Sequence, residues 1–280
     1  MKKLVLMLAL LAPVAAFGQV TVGGRASVGV DYKISKGLHA EAEVEVRAAD
    51  SFAGLGSTRT TLGLTYKPLS FLKVGIGYTN INPFKTNKEL SSGSFYTGFW
   101  YPRHRLYADM SGTLKAGDFR FSLRERLQFT HNTADSLNIY QSTRNALALK
   151  SRLGVKYKGF RHVTPALSVE LRHALNDPWG TVSGSAKTTG NTKREYYDYI
   201  HTGYTHAYLN RVRVNLGAQI DFNKHHSLEP YVMYDYNRVY EIDTNGMKNW
   251  EEDGVRLFTD GTGWAYGSNL IFGLKYVFSF

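Results

Sequence analysis

The sequence has no cysteine among its 280 residues. That excludes a disulfide framework, Cys-ligated zinc or iron–sulfur sites, and a lipid-modified N-terminal cysteine. Proline is scarce, at 7 residues. One long apolar run is present, at the N-terminus, and the mean hydropathy is −0.30, so a bundle of membrane-spanning helices is excluded. Disordered chains are poor in aromatic residues. This chain has 14% of them, with 19 Tyr, 15 Phe and 4 Trp.

Met1-Lys2-Lys3 is a short basic segment, and apolar residues run from Leu4 to Phe17. The run is too short for a typical spanning helix. Ala16-Phe17-Gly18 places small residues at the two positions a signal peptidase reads. Residues 1–18 are therefore expected to be a signal peptide and 19–280 the mature domain. Without Lys2 and Lys3, 32 Lys and Arg face 23 Asp and Glu, a net charge of +9. Export without cysteine suits a bacterial envelope protein better than a small animal secreted domain.

Beyond the leader the chain counts in twos. Leu38, Ala40, Ala42, Val44, Val46 and Ala48 take one face, and His39, Glu41, Glu43, Glu45 and Arg47 take the other. That period marks a strand with one apolar and one charged face. Val20–Tyr32, Arg59–Tyr66, Leu72–Tyr78, Arg103–Met110, Phe119–Phe129, Leu147–Tyr157, Leu167–Arg172, Arg211–Phe222 and Asn269–Phe280 repeat it. Most runs are long, about the ~9–11 residues a tilted membrane strand requires.

Short turns are read at Ser35–Gly37, Pro68–Ser70, Lys115–Asp118, Lys158–His162 and Asn223–His226. Long polar stretches lie near 81–99, 131–143, 176–194 and 241–262. Short turns on one side and long loops on the other are the layout of an outer-membrane β-barrel. Tyr32, Tyr66, Tyr157 and Phe222 stand near short turns, and Trp100, Trp179, Trp250 and Trp264 near long loops, as two aromatic girdles would. A soluble sandwich is the competing reading. It is disfavoured by strand length and by the Arg and Glu repeated on strand after strand.

Eleven strands are clear, and Glu195–Phe222 is too long for one. Splitting it into Tyr196–Tyr208 and Arg211–Phe222 makes twelve. A closed antiparallel barrel with both termini in the periplasm needs an even number. Twelve strands are expected, with ten as the alternative. The split puts a tight turn at Leu209-Asn210 on the long-loop side, so strand parity before 175 conflicts with parity after 211. Glu125 is a second misfit, a charge on the lipid face of its strand; a bulge or a place at the rim would relieve it.

The inward face is read as charged. Its basic residues are Arg103, Arg105, Arg120, Arg124, Arg126, Lys150, Arg152, Lys156, Arg172, Arg211 and Arg213. Its acidic residues are Glu41, Glu43, Glu45, Asp109, Glu170 and Asp221. Two readings compete. In one, the charges pair and fill the interior. In the other, an arginine-rich wall lines a narrow pore that prefers anions. Small anionic solutes are then possible partners.

Other chemistries find little support. Catalysis needs a nucleophile near a His and an orienting group. His39 lies near Glu41, and His201 and His206 lie in a Tyr-rich stretch with Asp198, but no Ser sits in a nucleophile motif. No catalytic residue is assigned. Asp243-Thr244-Asn245-Gly246 resembles the opening of a calcium loop, yet the residues up to Trp250 lack the ligands such a loop needs. His225-His226 sits in a short turn. No metal or cofactor is expected. The basic residues alternate with lipid-facing ones, so they line a lumen rather than a nucleic-acid surface. Those at the rim face outer-membrane lipid and lipopolysaccharide phosphates.

The runs Arg103-His104-Arg105-Leu106-Tyr107, Phe119-Arg120-Phe121-Ser122-Leu123-Arg124-Glu125-Arg126-Leu127, Asn210-Arg211-Val212-Arg213-Val214 and Asn223-Lys224-His225-His226-Ser227-Leu228-Glu229 resemble a family of bacterial outer-membrane barrels catalogued as domain of unknown function 2490. The resemblance implies an all-β transmembrane barrel in the bacterial outer membrane and supplies no activity. The ending Tyr276, Phe278 and Phe280 is similar to the signal by which barrel-assembly machinery recognises its clients. The arginine-rich interior loosely resembles narrow porins for acidic oligosaccharides. The expected function is a structural barrel or a narrow anion-preferring channel. A lipid-modifying barrel enzyme and a loop-based binding protein are the alternatives.

Overall fold

The computed structural model describes residues 20–87, 96–99, 101–133, 145–176, 180–187, 194–201, 206–242, 248–252, 255–259 and 262–280. The segment expected as a signal peptide and the 243–246 calcium-like segment lie outside them. The strands in chain order are β1 (Val20–Ser35), β2 (Leu38–Ala48), β3 (Leu55–Leu69), β4 (Leu72–Asn87), β5 (Tyr96–Phe99), β6 (Arg103–Ala116), β7 (Phe119–Asn132) and β8 (Asn145–Tyr157). There follow β9 (Val163–Ala174), β10 (Gly180–Lys187), β11 (Arg194–His201), β12 (Tyr208–Asp221), β13 (His226–Ile242), β14 (Lys248–Glu252), β15 (Val255–Thr259) and β16 (Thr262–Ser279). The short turns fall where the sequence placed them.

Each barrel strand pairs with its neighbour in order, β1 through β4, then β6 to β9, β12, β13 and β16. The short β5 folds back on β4 alone, and Pro83, expected in a loop, lies within β4. The ring closes where β1 meets β16, in a parallel pair running from Val20↔Ser268 to Asp31↔Ser279. Closure leaves no edge with unpaired backbone groups, which a bilayer requires.

The barrel thus has eleven strands, close to the twelve expected, and the even count does not hold. The reason lies between 175 and 207. Of the stretch expected as a strand over Tyr196–Tyr208, the part within β11 does not join the wall, and Tyr208 opens β12. β11 pairs with β10 and β15 in a separate four-stranded sheet, order β10-β11-β15-β14. β9 therefore pairs directly with β12, which resolves the parity conflict. The odd count moves to the closure. β1 and β16 both run toward the short-turn end, so the first strand starts at the long-loop end and the last finishes at the short-turn end, contrary to the layout expected of an even-stranded barrel.

The pleat sends apolar residues outward. Leu62, Ile76, Leu106 and Leu114 are 54%, 61%, 58% and 68% exposed. The buried residues of the inward face include many polar ones: Thr65, Thr79, Gln128, Thr130, Ser168 and Asp235. A water-soluble fold has the reverse arrangement. Two inward tyrosines lie flat over glycines of adjacent strands, Tyr107 over Gly77 and Tyr231 over Gly273, where a Cβ would collide with the ring. The expected girdle at the short-turn end is present: Tyr32, Tyr66 and Phe222 are exposed, and Tyr157 packs on Phe119 and Phe160 with ring centroids 5.0 and 5.2 Å away. Of the other girdle, the described residues include Trp264, packed against Tyr208 at 4.9 Å.

Glu125 is neither bulged nor at a rim. It sits mid-strand on the outward face, in unbroken register with Met110 and Ser151. The Ser151 hydroxyl donates to its Oε2 at 2.7 Å.

A guanidinium belt in the lumen

The alternation that places Leu and Val outside places every proposed lumen residue on the inner wall, because each shares parity with buried polar neighbours. Register then sorts them by height. At the short-turn mouth lie Arg120, Lys156 and Asp221, with Arg120 paired in register to both Lys115 and Lys156. Arg120 and Lys156 are exposed. Gln219 donates to Asp221 Oδ1 at 2.8 Å.

Toward that same end the remaining acids have single cationic partners. Lys73 Nζ donates to Glu41 Oε1 at 2.9 Å, and Lys275 pairs with Glu43. Arg126 Nε donates to Asp109 Oδ2 at 2.9 Å while its guanidinium covers the Tyr107 ring at 3.8 Å. His39 Nδ1 lies 2.8 Å from Asp31 Oδ1, so its partner is Asp31 and not Glu41.

Toward the long-loop end the balance changes. Arg25, Arg47, Arg59, Arg103, Arg105, Arg172, Arg211 and Arg213 all stand within a few residues of the long-loop ends of β1, β2, β3, β6, β9 and β12. Against them, with Lys150 and Arg124 just below, stand Glu45, Glu170 and Asp235, and each is shared. Glu45 takes Arg47 at 2.5 Å and Arg59 at 3.9 Å. Asp235 takes Arg213 at 2.8 Å and Arg211 at 3.4 Å. Glu170 takes Arg124 and Arg213, both at 3.4 Å, and Lys150 at 3.8 Å.

Some cations have no carboxylate among the described residues. Arg105 Nε donates to the Thr130 hydroxyl at 3.0 Å, and Arg152 donates to Ser168 Oγ at 3.0 Å. Arg25, Arg103 and Arg172 make no ion pair there. The Nε atoms of Arg59 and Arg211 are buried without a hydrogen-bond partner. Arg47, Arg172 and Arg213 share the inward face with Arg105 but lie on β2, β9 and β12, strands that do not neighbour β6. Fixed, partly desolvated guanidinium groups of one sign make a strong positive potential, and their forks match oxyanions.

The lumen residues named from the sequence left out four members: Arg25, Arg47, Arg59 and Asp235. The three arginines alternate correctly on their strands, and their pattern was available. What hid them is that β2 reads as an acidic strand through Glu41, Glu43 and Glu45. Asp235 was masked by Tyr231, Tyr234 and Tyr236, which put aromatic residues on both faces of β13 and blur the alternation.

At the end of β16, Tyr276 bonds His226, and Phe278 stacks edge-on against Phe280 at 4.2 Å. No member of the described set forms a metal-ligating cluster of three or more His, Asp or Glu.

Among solved structures, the outer-membrane expressed OmpT of Vibrio cholerae aligns with 11% identity and a TM-score of 0.34, over 85% of this chain and 64% of that one. The chain therefore spans just under two thirds of that protein's length, and a similarity of this size carries no functional argument. No curated protein matches the chain. Residues 26–245, which hold almost the whole belt, match the family described as Protein of unknown function (DUF2490), and the chain belongs to that family.

Proposed function

We propose that the protein spans the bacterial outer membrane as a narrow passive channel that prefers small anions. The observation that carries this reading is the surplus of guanidinium over carboxylate among the described residues at the long-loop mouth, inside a wall whose outer face is apolar. An apolar exterior suits lipid, and a ring of Arg lowers the barrier to anions while raising it to cations. The rim cations would meet lipopolysaccharide phosphates, and the aromatic ending of β16 would address the chain to the assembly machinery. The reading assigns no catalytic residue.

The test is reversal potential in a planar bilayer under a potassium chloride gradient, with refolding checked by heat-modifiable gel mobility. Anion-selective steps support the proposal. Replacing Arg105 and Arg172 by Glu should lower or invert the selectivity, and unchanged selectivity would remove the belt from the conduction path. A second reading, a closed structural barrel, is favoured by one observation: Ile81, Met233 and Ile271 point inward and are only 3%, 5% and 7% exposed, so side chains occupy much of the bore. A folded but silent protein would select it.

A further inference from the structure

The belt has more structure than a general positive potential. Arg59, Arg105 and Arg172 come from β3, β6 and β9, strands that are not neighbours, and therefore approach from different sides of the bore. Among the described residues the one carboxylate Arg59 reaches is Glu45, at 3.9 Å, and its buried Nε has no hydrogen-bond partner. Among the described residues Arg105 donates to the Thr130 hydroxyl and pairs with no carboxylate. Arg172 makes no hydrogen bond or ion pair among the described residues. Buried polar groups are normally satisfied, and the buried, unpartnered Nε of Arg59, on the same inner wall as two arginines with no carboxylate among the described residues, marks a place for an anion.

We propose that Arg59, Arg105 and Arg172, with Thr130, form a binding site for a phosphate group at the long-loop mouth of the lumen. Charge and shape both select the class. The surplus requires a multiply charged anion. Forks arriving from separate directions match a tetrahedral group, which offers three or more oxygens out of one plane. A planar carboxylate presents two oxygens in one plane and meets one fork fully. The site deepens the channel reading and rests on the same belt, but it does not require that the bore conduct.

The experiment is calorimetric titration of the refolded mature chain with inorganic phosphate at low salt, with succinate, whose two charges sit on two separate planar carboxylates, as the comparison dianion. Phosphate should bind at least ten-fold more tightly than succinate. The double variant Arg105→Gln/Arg172→Gln should weaken phosphate at least ten-fold. Lys36→Gln/Lys115→Gln, which removes the same charge at the opposite mouth, should leave binding unchanged. If the double Gln variant does not fold, Arg172→Lys keeps the charge and loses the fork, and should still weaken binding. Equal affinity for succinate, equal binding by the belt variants, or loss of binding on removing the distant lysines would each overturn the site. The two proposals fail separately. Anion-selective conductance without phosphate binding sinks the site and spares the channel. Phosphate binding by a silent barrel does the opposite.

Discussion

Arg126 lies with its guanidinium carbon 3.8 Å from the ring centroid of Tyr107, and the other side of that ring covers Gly77 on the adjacent strand. A glycine, an aromatic ring and a cation are thus layered from the wall inward, and Arg126 is held at its outer end by Asp109. The layer stiffens the wall between β4 and β7 and fills space that an open bore would leave to water.

The first prediction follows from that layer. Gly77→Val would drive a side chain into the Tyr107 ring. The expected loss is about 1–3 kcal/mol, the usual range for overpacking. The urea midpoint of the protein folded into lipid vesicles measures it, and Gly77→Val/Tyr107→Ala should recover part of the loss.

Glu170 is the shared acid of Arg124, Lys150 and Arg213. Glu170→Gln leaves these cations facing one another. Removing one side of a buried ion pair costs roughly 3–5 kcal/mol. The same change should raise anion selectivity in the bilayer, so the variant is expected to be less stable and more selective.

Glu125 is a carboxylate at mid-strand on the outward face, satisfied by Ser151 alone among the described residues. Glu125→Leu should stabilise the barrel by about 1 kcal/mol, given the modest penalty for acidic residues on the lipid face. Ser151→Ala should do the reverse. Paired vesicle unfolding curves decide the sign of each.

Selectivity produced by fixed surface charge weakens with salt. The screening length falls from about 10 Å at 0.1 M to about 3 Å at 1 M. The anion-to-cation permeability ratio should therefore decline steeply over that range. A ratio that does not move would point to a steric filter instead of the guanidinium belt.

Because β9 pairs directly with β12, the chain between them is not part of the wall. Replacing residues 177–205 by a short turn should leave a heat-modifiable barrel. If that variant fails to fold, the eleven-strand order would be wrong and the intervening segment would belong to the ring.

Much of this was legible locally. Which residues face lipid and which face the bore follows from side-chain alternation, a property of successive residues on one strand. The short turns, the outward Leu and Val, and the inward placement of Arg103, Arg105, Arg124, Arg126, Arg211 and Arg213 were all readable for that reason. The alternation also flagged Glu125 as anomalous, although not how Ser151 satisfies it.

What only the tertiary structure decided is non-local. Strand number depends on whether Arg194–His201 pairs with the wall or with β10 and β15, and alternation within a strand does not specify its partner. The parallel closure of β1 on β16 joins residues about 250 positions apart, such as Val20 and Ser268. The height of each charge along the bore depends on register summed around the ring. That is why Arg25, Arg59 and Asp235, unremarkable on their own strands, belong to the same belt as Arg105 and Arg172. Alternation determined the face of each residue; closure and register determined its neighbours.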